Sequence, residues 1–519
     1  MSHHGWITPI ELEQLTPNAL RSPFGRLFPV QSHSYSSHAI AMLSGALGPL
    51  DPTVPPTGNA RRLPTGFTFL GQFIDHDLTE FRVVREGMFF TENPVIGDRQ
   101  KVLEDTIDGE LPTATNGRSG GLDLDSVYGL FGTVDSNLFD KAGSFRMRED
   151  RRDIARGKEH PGERLIADLR NDENKIIVQV HLLFERLHNL IHRAKPGDRW
   201  VGSQAFAETR ASVVATYRRI VLNDYLPAIV GMKRLDDVMA HFSDPNPNFY
   251  KRMNARSSAA LVRLGADPAE ADIRRAMPVE FSHAVFRLGH SQLREGYRLN
   301  GEHEPRRLFA TNGGRQDLRG REALTKEVII DWRFFFPIDA KVELGQPIDA
   351  DLPHPIFRLP PPAIGEPPIS LPERNIRRAV DFGLPSGQQC AAALAAVYGP
   401  IRVLSNEELF PNVANDYAEI LEIEPKLATA TPLWYYMLRE AEQESGPELG
   451  PVGGYVVAET ILGSLASEPG FDLAGEHLKL QNAGRPPLVA PPGGIVVPAS
   501  VEDIRSMAEL AAFLVANDA

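Results

Sequence analysis

The stretch GQFIDHDLTEF, residues 71 to 81, sets an acid on each side of a histidine inside an otherwise apolar pattern. At ~100° per residue the spacing predicts a helix in which Leu70, Phe73, Ile74, Leu78 and Phe81 share one apolar face. Gln72, Asp75, His76 and Thr79 gather on a polar stripe, so one helix would present an amide, a carboxyl and an imidazole on the same side. Asp77 falls among the apolar residues, where a carboxylate must either neutralise or find a cation. From this stretch alone two readings stand open, a surface helix with solvated acids and a helix whose polar stripe lines a site.

The surrounding chain is rich in helical periodicity. DENKIIVQVHLLFERLHNLIHR, 172 to 193, carries apolar residues at 176, 177, 180, 183, 184, 187, 190 and 191, a sustained helical repeat. AETRASVVATYRRIVLNDYLPAIVG, 207 to 231, predicts a second helix ending at Pro227 and Gly231. Further helices are expected at roughly 375–397, 428–443, 453–465 and 501–517, the last capped by Ser500 with Glu502 and Asp503 in its first turn. Residues 338–374 and 482–500 read as Pro-rich connections, and 114–129 as a glycine-bearing loop. Strand signals are few and short, and no internal repeat is present. The expectation is therefore a mainly α chain forming a single large helical domain over 1–519, with long ordered loops. Residues 1–60 would be an N-terminal wrapping arm, 61–465 the core, and 466–519 a C-terminal loop and helix.

Composition narrows the function. The 519 residues are 42% hydrophobic, enough for a large core, and carry a net charge of −13. That charge, with no Lys/Arg cluster, argues against nucleic acid or an anionic membrane as a partner. No run approaches the ~18 apolar residues of a membrane span, and the N-terminus shows no classical export signal. The single cysteine, Cys390, excludes an intrachain disulfide and any Cys-rich zinc site. The 43 glycines and 42 prolines exceed the usual ~12% combined share, so much ordered loop must separate the helices.

Six places concentrate ionisable residues among apolar ones. The first is Gln72, Asp75, His76 and Asp77. In SGGLDLDSVYG, Asp123 and Asp125 alternate in the way oxygen donors do around calcium, although a solvated turn would look the same. ADLRNDEN sets Arg170 and Glu173 at i, i+3, a spacing also typical of a helix-start ion pair. His181, His188 and His192 form a stripe, yet His181 and His188 lie about 10 Å apart along the axis and cannot share a metal. His290 follows a short apolar run and Gly289, and a glycine there admits a bulky, flat group. Asn375 and Arg378 precede a Gly-Leu-Pro turn. A rival use, a di-iron bundle built on Glu185-x-x-His188 and Glu280-x-x-His283, would need two further helical glutamates at matching depth.

In order along the chain, GQFIDHDLT, ADLRNDEN…HLLFERLHN, FRLGH, NIRR…DFGLPSG and LGPVGG resemble the animal-type haem peroxidases, the peroxidase-cyclooxygenase superfamily, over about residues 20–465. The compact, disulfide-free form is similar to its bacterial branch. The resemblance implies the all-helical fold of that family, with 61–465 as the haem-binding core. It also implies residue roles. His76 would be the distal histidine, Arg170 the distal arginine and His290 the proximal ligand to haem iron. Asn375 would accept the hydrogen bond from the other ring nitrogen of His290, and Arg378 would face a haem propionate. Arg287 also falls in the haem-binding set. Asp75 and Glu173 would form ester bonds to haem b. Asp77, Ser119, Gly121 (through its carbonyl), Asp123 and Asp125 would hold Ca2+. Asn174 stands where some members have a methionine bonded to a haem vinyl group, and RRAVDFG replaces the usual Arg-Gly-Arg-Asp-His-Gly run.

The implied activity is reduction of hydrogen peroxide, with oxidation of halides, thiocyanate or small aromatic donors through a ferryl intermediate. His76 would shuttle a proton and Arg170 would stabilise the departing oxygen, with Gln72 beside the site where a halide would sit. Two alternatives are a fatty-acid dioxygenase of the cyclooxygenase branch and a non-catalytic haem- and calcium-binding interaction protein. The dioxygenase needs a tyrosine three residues before the proximal histidine, where this chain has Arg287. No protein partner is predicted. The location expected by default is cytoplasmic, with non-classical secretion left open.

Overall fold

The helix around His76 runs Gly66–Leu78, with Phe67, Phe69, Leu70, Phe73, Ile74 and Leu78 buried as the wheel requires. It stops short of Phe81. Thr79 turns extended at φ −133° and ψ 136°, and its hydroxyl bonds the Asp75 carbonyl at 3.1 Å and carboxylate at 2.9 Å. The N–H of Glu80 is then taken by Asn116 Oδ1 at 2.7 Å. Phe81 therefore opens a strand, Phe81–Arg85, which pairs antiparallel with both Met88–Thr91 and Ala114–Asn116. This computed structural model describes residues 24–29, 31, 33–46, 62–85, 88–91, 114–129, 134–157, 164–242, 248–263, 275–310, 317–359, 370–411 and 417–517.

The long periodic segment is a helix over Ile177–Ala194. It begins five residues later than the repeat suggests because Asn174 Oδ1 accepts from the N–H of Ile176 at 3.0 Å and of Ile177 at 2.8 Å, as a capping oxygen does. Residues Leu169–Asp172 before it form a 3-10 turn that carries Arg170. The two helices meet through Phe73 and Phe184, whose rings stack with centroids 5.0 Å apart. Tyr217 closes edge-on against Phe73, from a third helix, Gln204–Ile220. That helix widens into a π turn at Val221–Tyr225 and continues over Leu226–Val230. A π turn rotates the following side chains relative to the α repeat, and it brings Tyr225 to the cavity described below.

Several expected boundaries move. The helix expected at 375–397 is two, Leu371–Asp381 and Gly387–Tyr398. Gly383 between them sits at φ +53°, and Ser386 with Gln389 forms a reciprocal capping box that restarts the helix. The 428–443 helix is a Pro425–Ala428 3-10 turn followed by Leu433–Ala441, and the 453–465 helix spans Pro451–Ala466. At the C-terminus, Ser500 bonds the Asp503 side chain at 2.8 Å rather than a backbone N–H. Val501–Asp503 is accordingly a 3-10 turn, and the helix runs Met507–Asn517. Within the expected N-terminal arm, Ser37–Ala46 is helical and Phe24–Gly25 pairs in parallel with Met277–Pro278. Residues 1–23 and 47–60 of that arm, and 360–369 of the Pro-rich connection, lie outside the described residues. Helices at Met232–Phe242, Phe249–Arg263 and Leu473–Ala483 were not anticipated.

The buried apolar residues join into one cluster that reaches from Phe24 to Leu514. Burying them is what stabilises this arrangement, at roughly 25 cal/mol per Å² of apolar surface. The Gly66–Leu78 helix lies inside it, packed against the Ile177–Ala194 helix on one side and the Val285–His290 3-10 segment on another.

Candidate functional site

Between the Gly66–Leu78 helix and the Val285–His290 segment lies a cavity whose empty space, open solvent included, is about 810 Å³. Gln72, Asp75 and His76 line one wall with Arg170, Glu173 and Asn174, and Arg287, Gly289 and His290 line the other. Phe69, Tyr225, Phe286, Leu288, Leu293 and Leu308 also line it. The wheel and the two later motifs thus converge on one space.

His76 is buried, and its Nδ1 lies 2.9 Å from Asn171 Oδ1. An amide oxygen accepts only, so the proton is on Nδ1 and Nε2 keeps its lone pair. Burial, followed by the nearby Arg170 charge, lowers the pKa of His76 to about 3. The ring is neutral at physiological pH. Arg170 is held on several sides. Its Nη1 donates to Thr79 O at 2.8 Å, and its Nη2 to His76 O at 2.9 Å and Asp168 Oδ2 at 2.7 Å. Burial alone would raise the pKa of Asp168, but Arg118 and Arg170 hold it well below the carboxylate range. Glu173 Oε1 accepts from Gln72 Nε2, and Asn174 Nδ2 donates to Gln72 Oε1 at 3.2 Å.

Asp77 points away from this cavity. It is fully buried, with Oδ2 accepting from Leu124 N and Oδ1 from Ser126 N, each at 3.2 Å. Leu124 sits at φ +58°, and this left-handed turn bends the loop so that Asp123 and Asp125 return to Asp77. One carboxylate oxygen from each of the three lies within 4.8 Å of the others. Burial, then the Asp123 charge, raises the pKa of Asp77 to about 7, and burial raises that of Asp125 as well. Asp125 Oδ1 is buried without a hydrogen bond. Ser119 N donates to Asp125 Oδ2 at 3.0 Å, and Gly121 N to Ser119 Oγ at 3.1 Å. Convergent carboxylates, two buried and one half-buried, with an unsatisfied oxygen are the donor set of a hard divalent cation. Arg118 lies between the two regions, paired with Asp168 and 3.8 Å from Asp125.

On the opposite wall, Asn375 Nδ2 lies 2.8 Å from His290 Nδ1, and Asn375 Oδ1 accepts from Arg378 Nη1 at 3.1 Å. The pairing is the expected one with its polarity reversed. A ring that binds a metal through Nε2 carries its proton on Nδ1 and needs the amide oxygen. A half-turn of the amide supplies it, and that half-turn would point Nδ2 at Arg378 and end the bond between them. Arg287 Nε donates to Ser282 O at 2.9 Å. A Cβ on Gly289 would meet nothing nearer than Thr68 O at 3.9 Å. The space beside His290 is therefore open, as a planar macrocycle requires. Two histidines on opposite walls, apolar sides and this open glycine face fit haem.

The di-iron arrangement is not formed. His181 Nε2 bonds Glu185 Oε1 at 3.0 Å, His188 bonds Tyr128 and Gly143 O, and Glu280 accepts from the N–H of Leu27 and Phe28. Among the described residues, the three aspartates are the one grouping of three metal-ligating side chains. Sequence reasoning missed Asn171, Asp168, Arg118 and Tyr225. Asp168, two residues before Arg170, carried a usable signal as the acid of an Asp-x-Arg pair, whereas Asn171 and Tyr225 carried none.

A search of known structures finds the same fold in peroxidase A from Dictyostelium discoideum, at TM-score 0.59 and 17% identity over 92% of this chain and 96% of that one. Fatty acid alpha-dioxygenase from Oryza sativa gives TM-score 0.58 and 13% identity over 98% and 85%. The Arabidopsis thaliana enzyme gives 0.55 and 13% over 94% and 77%. At these identities the likeness is one of fold. Chorion peroxidase of Aedes aegypti is 27% identical over 146 residues, a match spanning 16% of its length. The family model described as animal haem peroxidase matches residues 88–386, more than half of the chain. That span carries Arg170, Glu173, His290, Asn375 and Arg378, and the cavity adds the His76 helix that precedes it. The chain belongs to the animal haem peroxidase family.

Proposed function

We propose that this protein is a haem-dependent peroxidase that reduces hydrogen peroxide and oxidises halides, thiocyanate or small aromatic donors. The observation that carries the reading is His76, a buried, neutral imidazole with Nδ1 committed to Asn171 and Nε2 left as an acceptor on the cavity wall opposite His290. His290 would hold the iron of haem b, Arg378 a propionate, and Asp75 and Glu173 ester bonds at the rim. Haem supplies the redox centre that takes up the oxidising equivalents of peroxide and passes them to donors.

His76 Nε2 takes the proton from one peroxide oxygen and returns it to the other, so that the second oxygen leaves as water. Arg170 places a fixed positive charge beside the oxygen that gains electrons. Its bonds to Asp168, Thr79 O and His76 O mean that no reorganisation is needed at that moment. Gln72, bridged to Glu173 and Asn174, lies at the cavity wall where a small anion would sit. Asp77, Asp123 and Asp125, with Ser119 and the Gly121 carbonyl, would hold Ca2+ behind the distal helix and tie it to the loop. Arg287, bonded to Ser282 O, occupies the position at which a dioxygenase of the cyclooxygenase branch places its radical tyrosine. That speaks against the dioxygenase reading.

The test is steady-state turnover of the haem-loaded protein with hydrogen peroxide and, separately, bromide, iodide and a phenol. Peroxide-dependent oxidation of at least one donor, abolished when haem is omitted, is expected. Stoichiometric haem without oxidation of any of the three would overturn the reading.

A further inference from the structure

Behind His76 runs a line of buried hydrogen bonds. His76 Nδ1 meets Asn171 Oδ1 at 2.9 Å, Asn171 Nδ2 meets His181 Nδ1 at 3.2 Å, and His181 Nε2 meets Glu185 Oε1 at 3.0 Å. Asn171 and His181 are 0% exposed and Glu185 is 1% exposed. Three elements contribute, namely the Gly66–Leu78 helix, the Leu169–Asp172 turn and the Ile177–Ala194 helix, on which His181 and Glu185 lie one turn apart.

The direction of the whole line follows from one backbone oxygen. Asn171 Nδ2 also lies 3.4 Å from the Ser126 carbonyl, which can only accept. The amide nitrogen therefore faces Ser126 and His181, and the amide oxygen faces His76. On the far side, His181 Nδ1 accepts, so its proton is on Nε2 and goes to Glu185. Burial pushes the Glu185 carboxyl up, yet Oε1 accepts from His181 in either protonation state. A leucine would fill the Glu185 position at no desolvation cost, so the acid is explained by what it does for His181.

We infer that Asn171, backed by His181 and Glu185, is the positioning residue that holds His76 in the Nδ1–H tautomer with Nε2 bare toward the cavity. The inference rests on the reading of His76 as the residue that moves the peroxide proton. The two neutral tautomers of a free imidazole lie close in energy. In the other one, Nε2 carries a hydrogen and cannot accept a proton from peroxide.

The test uses the ferrous, carbon-monoxide form of the holoenzyme with 15N-labelled histidine, in which the two ring-nitrogen shifts of His76 report the tautomer directly. The wild type should show a protonated Nδ1 and a bare Nε2. Asn171→Leu should mix or reverse that pattern and slow peroxide reduction ~10- to 100-fold, the usual loss when the group orienting a ligand or base is removed. Asn171→Asp keeps an acceptor for His76 but sets a carboxylate oxygen against both the His181 Nδ1 lone pair and the Ser126 carbonyl. Adding Glu185→Gln lets His181 reverse, because the new amide can donate to its Nε2, and the number of buried carboxylates returns to that of the wild type, while the Ser126 contact stays unrepaired. The double variant should therefore move both the tautomer pattern and the rate part of the way from Asn171→Asp toward the wild type, and it decides the matter should Asn171→Leu fail to fold. A wild-type ring pattern in Asn171→Leu, or a double variant no better than Asn171→Asp, overturns the inference. A changed pattern with an unchanged rate upholds the positioning and removes His76 from the proton transfer instead.

Discussion

The wall of the cavity that carries His76 is tied to itself, with His76 bonded to Asn171, Gln72 to Glu173 and Asn174, and Arg170 to Asp168 and two backbone carbonyls. On the wall that carries His290, Asn375 Nδ2 faces the ring Nδ1 and Asn375 Oδ1 faces Arg378, a polarity that suits a ring protonated at Nε2. Under the proposed function, folding alone would arrange the peroxide side, and on the side where His290 would hold iron the Asn375 amide would make its half-turn when the cofactor binds. This order suits the chemistry, because the group that must not reorganise during O–O cleavage is the one held by the fold.

The largest effects should separate the two walls. His290→Ala is expected to abolish stable haem iron ligation, read as loss of the Soret band after gel filtration. His76→Ala should retain haem at the wild-type stoichiometry yet slow its reaction with peroxide by ~10²- to 10⁴-fold in stopped-flow, the range for a positioned acid–base group. Equal peroxide rates in the wild type and His76→Ala would show that the preorganised wall is not the reactive one. Retention of the Soret band in His290→Ala would move the iron ligand elsewhere.

A smaller effect should come from the aspartate cluster, which anchors the self-tied wall from behind. Without a cation, Asp77 has a folded-state pKa near 7 against an ordinary 3.8, the cause being burial and then Asp123. Between those values the folded chain binds more protons than the unfolded one, so the stability of chelator-treated protein falls as pH rises through that window. His76, lowered to about 3 by burial and Arg170, works with the opposite sign. It removes stability as pH falls below about 6.5, and Asp77→Asn leaves that contribution alone. Asp77→Asn removes the Asp77 titration but turns its NH2 toward Leu124 N or Ser126 N, so in chelator its stability should fall less than that of the wild type from about pH 5 to about pH 8. Millimolar calcium should raise the melting temperature of the wild type and leave that of Asp77→Asn nearly unchanged, because the carboxylate is then a ligand. A wild-type melting temperature unmoved by calcium would remove calcium from this site.

The regions also differ in how far the sequence revealed them. The helical repeat located the His76 helix, the long helix after Asn174 and the apolar side of each, because burial periodicity is a local signal. It extended the first helix to Phe81, since the wheel takes no account of a threonine that bonds back to Asp75 and an asparagine, 36 residues away, that takes the next N–H. It merged the two helices around Gly383 because Phe382 and Leu384 continue the apolar count. Asp77 was legible as a problem, an acid on an apolar face, and its partners Asp123 and Asp125 as an alternation. Asn171 was not, for a small amide in the run RNDEN looks like its neighbours, and its meaning lies wholly in contacts with His76, His181 and Ser126 on other segments. The polarity of Asn375 is likewise invisible in sequence, being set by where Arg378 reaches.

The smallest expected effect tests whether the two walls become one unit in use. Asp75 lies one residue before His76 and accepts from Thr79 at 2.9 Å, while Glu173 accepts from Gln72. Both carboxylates line the cavity, and both belong to the self-tied wall. If each forms an ester with the haem rim during turnover, the macrocycle becomes fixed to that wall whatever happens at His290, and extraction by acidified organic solvent reports the linkage. Peroxide-treated wild type should resist extraction, Asp75→Val and Glu173→Gln should each release part of the haem, and the double variant should release all of it while still binding haem through His290. Glu173→Gln is also expected to loosen Gln72, which loses its charged acceptor, so its anion-donor KM should shift where that of Asp75→Val does not. Free haem alone in mass spectra of the peroxide-treated wild type would leave the two acids as hydrogen-bond acceptors for Thr79 and Gln72 and remove them as anchors of the cofactor.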